Sequence, residues 1–292
     1  MNKKICVITG SRADYDLLSP IMEKIRSSRR LKLNCIATGS HYYKNHLTYK
    51  KILKDGFKIN KKVYIEQIQD DESSILNSIS KSIKKFDSIF RKNKYDAVLV
   101  LGDRYEIFAS VISALFHKIP IIHISGGEVT EGAIDEPLRH AISKFSSFHF
   151  VTNATYKKRI MQLGENPKNI FYVGSTGVEN INKRKLLKLN ELQNILGIKL
   201  KKENYLITFH PVTFENDYGV GDFKILLSVL SSLENTGIIF TLPNADAKNK
   251  IFISLIKKFV KKNKNTKYFS SLGRLKYYSC LNHMTAIIGN SS

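Results

Sequence analysis

The chain has 292 residues, 42% of them hydrophobic and 25% charged, which is folded globular material with length for two modest cores and excludes a disordered tail. Its formal charge of +22 invites nucleic acid or an anionic surface. However, the lysines lie in helix-and-loop stretches such as 51–62, 182–190 and 256–267, and no Arg-rich tail, zinc-finger spacing or aromatic-basic motif accompanies them. The reading is a solvated basic surface that attracts phosphate-bearing ligands, with no nucleic-acid partner. Three cysteines, Cys6, Cys35 and Cys280, are odd in number and far apart, as expected of buried thiols in a reducing compartment. No run approaches the ~18 apolar residues of a membrane span, and the N-terminus enters a strand without a signal peptide. A cytoplasmic protein without membrane, metal or cofactor is expected.

The first strand is expected over residues 4–9, followed by Gly10-Ser11-Arg12 and a helix through residue 26. A glycine at a strand-to-helix turn lets a ligand approach the backbone, and a helix N-terminus attracts anions. Arg12 would add a bidentate contact there; the alternative is a structural turn with an exposed arginine. A strand at 33–38, a lysine-rich helix, a strand at 63–68 and a helix at 73–91 come next.

The centre is residues 95–140. The apolar run 97–101 is short and rich in Val and Leu, the pattern of a strand buried on both faces. It stops at Gly102-Asp103-Arg104, a helix follows over 105–117, and a second apolar strand over 119–124 leads into SGGEVTEGAIDE and another helix. In such a βαβ unit both strands end on one side of the sheet, where open α/β sheets bind ligands. Asp103, Arg104, His123, Glu128, Glu131, Asp135, Glu136, Arg139 and His140 all fall at or beyond those ends. Asp103 and Asp135 also suit helix N-caps. Glu131 and Glu136 read as solvent-facing or capping, His41 and His123 as structural, and His140 as packing.

Strands at 148–152 and 170–173 flank a helix to 163. Residues 174–203 read as a hinge, a helix and a polar linker. A second series follows, with strands at 205–210, 237–242, 267–270 and 285–289 and helices at 222–233, to 262 and at 274–281. The expected organisation is a Rossmann-like domain over 1–177, a hinge over 178–203 and a partial nucleotide-binding domain over 204–292. Two doubly wound domains with polar strand ends would face a cleft suited to a nucleotide-containing substrate.

Seven motifs in order, ITGSRADYDLL (8–18), LGDRYE (101–106), HISGGEVTEGAIDEPLRHAISK (123–144), VGSTGVENI (173–181), TFHPVT (208–213), TLPNAD (241–246) and IIGNSS (287–292), run through essentially the whole chain. Together they resemble the hydrolysing UDP-N-acetylglucosamine 2-epimerases, especially the branch serving sialic and legionaminic acid synthesis. The resemblance implies an α/β, GT-B-like fold of two Rossmann-type domains, the second incomplete because the chain stops where family members continue. It also implies elimination of UDP to a 2-acetamidoglucal, then hydration to a free manno-configured sugar. By the same resemblance Asp103, Asp135 and Glu128 are the catalytic carboxylates, and His210 serves the diphosphate or proton transfer. Arg12 and Arg139 contact diphosphate or sugar, Asn244 binds substrate, and Ser291 and Ser292 begin a phosphate turn. A homodimer through the first domain is implied too. UDP or GDP, and a C6 hydroxyl or a 4-acetamido group, stay open. The rival readings are an inactive remnant that at most binds nucleotide-sugar, and a GT-B glycosyltransferase.

Overall fold

The computed structural model describes residues 2–43, 47–65, 72–182, 185–243 and 248–290. The chain divides into two compact units, Met1–Asn180 and Ile181–Ser292. In the first, strands β1 (Lys3–Thr9), β2 (Leu31–Thr38), β3 (Ile59–Val63), β4 (Ala97–Leu101), β5 (Ile121–Ile124), β6 (Phe148–Val151) and β7 (Ile170–Tyr172) form one sheet in the order β3-β2-β1-β4-β5-β6-β7. Every pairing is parallel, so helices must carry the chain back between strands. They are α1 (Arg12–Ser27), α2 (Tyr49–Lys54), α3 (Glu72–Lys92), α4 (Tyr105–Phe116), α5 (Asp135–Phe145) and α6 (Ala154–Gln162), with α7 (Thr176–Asn182) at the boundary between the units.

The pleat sorts the apolar residues into two layers. Ile5, Val7, Leu99 and Leu101 face one way and pack with Tyr15, Leu18 and Met22 of α1. Their sequence neighbours Cys6, Ile8, Val98 and Val100 face the other way, against Phe86 of α3 and Ile107 and Val111 of α4. Alternate residues of one strand thus serve opposite cores, and all five residues of β4 are buried. Each large buried side chain contributes roughly 1.5–3 kcal/mol. The strand order reverses direction at β1, whose neighbours are β2 and β4. Such a reversal opens a crevice at the carboxyl ends of β1 and β4.

The second unit contains α8 (Leu189–Leu196), β8 (Glu203–Thr208), α9 (Val220–Ser232), β9 (Thr236–Thr241), α10 (Asn249–Lys262), β10 (Thr266–Phe269), α11 (Gly273–His283) and β11 (Ala286–Gly289). Its parallel sheet runs β10-β9-β8-β11. Phe223, Phe240, Phe252 and Phe259 fill one side, and Leu192, Leu196, Leu206 and Ile239 the other. Residues 189–196, expected as a helix within a hinge, therefore belong to this core.

One strand is displaced from its expected place. The sequence pattern places a strand over 63–68, whereas β3 is Ile59–Val63; residues 66–68 lie outside the described residues. The reason is position: β3 is an edge strand, and edges accept the exposed lysines 61 and 62 that hide its β signal. Among the described residues no helix is long and apolar enough to cross a membrane. All three cysteines are free and buried. Burial pushes the Cys35 thiol up to about 12 and that of Cys280 to about 11, which makes them poor nucleophiles.

Candidate active site

The turn after β1 is built by a reciprocal cap. The Asp14 amide donates to Ser11 Oγ at 3.2 Å, while Asp14 Oδ2 accepts from the amides of Ser11 and Gly10 at 3.0 and 3.1 Å. This is a capping box with Asp as its acid. It alters the expected anion cradle, because Asp14 already occupies two of the amides that the turn would offer. Arg12 is the first residue of α1. Burial is the main cause that raises the Asp14 carboxyl from its ordinary 3.8 to about 6, against the lowering effect of the Arg104 guanidinium.

Beyond β4 come Asp103, Arg104 and the first turn of α4. Asp103 Oδ2 pairs with Arg139 of α5, and Arg139 is 3% exposed. Both terminal nitrogens of Arg139 also donate to Thr130 Oγ1 at 3.0 Å. Thr130 is held in turn, its amide donating to Glu136 Oε2 at 2.8 Å. The βα loop after β5 is thereby tied to the end of β4. His123, wholly buried in β5, strengthens the tie: its Nε2 donates to the Gly102 carbonyl at 2.8 Å, and its Nδ1 lies 3.1 Å from Ser143 Oγ. That pattern puts the ring proton on Nε2. Burial drives the His123 ring down to about 3, so it stays neutral and supports the residue next to Asp103.

Glu128 follows the glycine pair of the same loop and accepts from Thr152 Oγ1 at 3.1 Å. Burial raises its carboxyl above the ordinary range; the Thr152 bond and Arg139 oppose the rise, and Asp103 adds to it. Asp103, Arg139 and Glu128 therefore sense one another. Asp135 opens α5 one turn before Arg139. His140 lies 3.8 Å from Glu136, and Glu131 is exposed. His41 is buried between Thr9 Oγ1 at 2.9 Å and Thr48 Oγ1 at 2.8 Å, and burial lowers it to about 4.

In the second unit the corresponding strand ends are β8 and β11. The His210 amide donates to Asn290 Oδ1 and Asn290 Nδ2 donates to the His210 carbonyl, both at 2.8 Å. This clamp holds the backbone of His210. Asn244, Ser291 and Ser292 lie outside the described residues. Among the described residues no three His, Cys, Asp or Glu side chains gather in a way that would hold a metal ion.

Comparison with known proteins then places the chain. A profile of the UDP-N-acetylglucosamine 2-epimerase family matches residues 23–292. The chain belongs to this family. It is 40% identical over 292 residues to a GDP/UDP-N,N'-diacetylbacillosamine 2-epimerase (hydrolyzing) of Campylobacter jejuni, covering 99% of the chain and 76% of that protein. It is 31% identical to the UDP-N,N'-diacetylbacillosamine 2-epimerase (hydrolyzing) of Legionella pneumophila, with 100% and 77% covered. A crystal structure of Neisseria meningitidis UDP-GlcNAc 2-epimerase bound to UDP-GlcNAc has a similar fold, with a TM-score of 0.80 at 14% identity over 99% of the chain and 78% of that one.

Sequence reasoning singled out Asp103 and Arg139 but not their pairing, which joins residues 36 positions apart. It missed Asp14, although Ser11 followed three residues later by an acid is a capping-box signature. It also missed Glu106. An acid in a first helical turn ordinarily favours the helix dipole from a solvated position, and nothing local says that this one is buried.

Proposed function

We propose that this member of the 2-epimerase family is a hydrolysing enzyme, of the O-glycosyl hydrolase class. It converts a UDP- or GDP-linked 2-acetamido sugar to the free nucleoside diphosphate and the free 2-epimeric sugar. The names of the 40% and 31% identical relatives favour a 2,4-diacetamido-6-deoxy sugar over N-acetylglucosamine. The observation that carries the reading is the group at the ends of β4 and β5: Asp103 paired to buried Arg139, beside Glu128 with its raised carboxyl.

The chemistry requires a proton to leave C2 and the C1–O bond to break, its electron pair going to the departing diphosphate. Water then adds at C1 and a proton returns to C2 on the opposite face. Carboxyls in unlike surroundings suit such a division of labour. Asp103, beside Arg139, is assigned as the anionic partner of the departing C2 proton. Glu128, whose burial favours the protonated form, is assigned as the donor, with Asp135 serving the water. Arg12 meets diphosphate or sugar. His210, with Asn244, Ser291 and Ser292, is assigned to the nucleotide.

Three buried free thiols agree with a reducing, cytoplasmic setting. A homodimer and a place in supplying manno-type precursors of sialic or legionaminic acid belong to the same reading. The test is incubation with UDP-N-acetylglucosamine and with its diacetamido counterpart, following free UDP and reducing sugar together. Stoichiometric release of both is expected. Accumulation of an intact nucleotide-linked epimer, or dependence on an acceptor, contradicts it.

A further inference from the structure

Glu106 is wholly buried, in the first turn of α4. Its Oε1 accepts from Arg104 Nε at 2.9 Å, and the Arg104 side chain is 14% exposed. Its other oxygen, Oε2, is buried and receives no hydrogen bond from the described residues. An ionised carboxylate met on one side only is costly inside a protein. A second buried carboxyl, Asp14, responds to both members of the pair, lowered by Arg104 and raised by Glu106. The Arg104 guanidinium thus bonds one buried carboxyl and acts electrostatically on a second. An apolar side chain would fill such a place at less cost, so packing alone does not explain an acid there.

The backbone is shaped around this carboxylate. A Cβ on Gly10 would lie 2.7 Å from Glu106 Cγ. A Cβ on Gly39 would lie 2.7 Å from Glu106 Oε1 and 2.6 Å from the Gly10 carbonyl oxygen, and Gly39 has φ +58. Both glycines stand directly after their strands, β1 and β2, while Glu106 arrives from β4. Three strand ends around the reversal therefore converge on one side chain. What that side chain grips is Arg104, the residue next to Asp103, at the Nε position that fixes the plane of a guanidinium.

Resting on the nucleotide-sugar reading above, we propose that Glu106 is a positioning residue: its carboxylate locks Arg104 in the β1–β4 crevice, aimed to meet the anionic part of the substrate. An arginine left to itself loses much rotamer freedom on binding a phosphate. One pinned beforehand has lost it already. Glu106 does not touch the substrate in this account; it acts through Arg104. Gly10 and Gly39 are present because the carboxylate must sit that close to the turn.

The test is a pair of variants read by binding and by kinetics. Glu106→Gln keeps volume and an acceptor but removes the charge. It should weaken UDP binding by isothermal titration about tenfold and raise KM about tenfold, with kcat changed less than about threefold. Glu106→Asp, which restores the charge on a shorter stem, should recover part of that loss. In an Arg104→Lys background Glu106→Gln should add less than about twofold, because the residue through which it acts is already altered. UDP affinity and KM of Glu106→Gln within twofold of wild type overturn the inference, and so do effects that multiply in the double variant. Should Glu106→Gln fail to fold, Glu106→Asp carries the test: intermediate affinity supports positioning, and wild-type affinity with a lowered Tm overturns it. A wild-type chain that binds neither UDP nor GDP overturns the nucleotide-sugar reading and this inference together. Wild-type binding left unchanged in the variants overturns the inference alone.

Discussion

The two units share one strand order and set different side chains at its reversal. In each, the strand order reverses at the unit's first strand, β3-β2-β1-β4 in one and β10-β9-β8-β11 in the other. At the first reversal stand Asp14, Asp103, Arg104 and Glu106, with Arg139 reaching in from α5. At the second, an amide clamp joins the Asn290 side chain to the His210 backbone. Strand order supplies a place for a ligand; the side chains decide what happens there. Preorganised charges in a buried setting suit proton transfer, whereas an amide clamp fixes a main chain against which a ligand can rest.

The sharpest way to break this contrast is to neutralise one residue in each unit. Asp103→Asn should lower turnover by about 10²–10⁴-fold, the ordinary worth of a proton-transfer group. Asn290→Ala should cost less than about tenfold. Equal losses would erase the distinction.

The next effect is on pH dependence, which should live in the first unit. Asp14 has a folded value of about 6 against its ordinary 3.8. The folded protein therefore binds that proton more tightly, and this contribution to stability is present at low pH and lost as pH rises from about 4 to about 6. The rise is worth roughly 3 kcal/mol. His41 and His123 work in the opposite sense. Folded values of about 4 and 3 mean that the unfolded chain takes up protons first, so their contribution is lost as pH falls below about 6.5. Asp14→Asn should accordingly compare better with wild type at pH 7 than at pH 4, by an amount of that order in urea titrations. A pH-independent difference would count against it.

Smaller is Gly39→Ala. Its φ of +58 and the contacts a Cβ would make should cost at least about 2 kcal/mol in the denaturation of the first unit. Smallest is the stability effect of Asn290→Ala on the second unit, about 1 kcal/mol for a pair of exposed hydrogen bonds. A cost several times larger would show the clamp to be a structural keystone.

How much of this was legible depended on sequence distance. The run AVLVL announced a doubly covered strand because its neighbours in the chain carry that information. The placement of Asp103 and Glu128 just beyond strand ends followed from the βαβ pattern. The grip of Arg139 on Asp103 did not, since it depends on how the loop holding Thr130 folds back. Glu106 shows the limit most clearly: it is buried by Gly10 and Gly39, and no local pattern reports contacts across such separations. The edge strand β3 was misplaced because edge strands need not look apolar. His210 was legible as a motif, but its partner Asn290 was read only as part of the closing IIGNSS.

The most direct test of the central claim is proton NMR of the 292-residue chain with UDP-N-acetylglucosamine and its diacetamido counterpart in D2O. UDP together with a free manno-configured sugar carrying deuterium at C2 is the expected result. UDP released with a sugar that retains its original C2 proton would contradict the elimination–hydration route, and with it the roles assigned to Asp103 and Glu128.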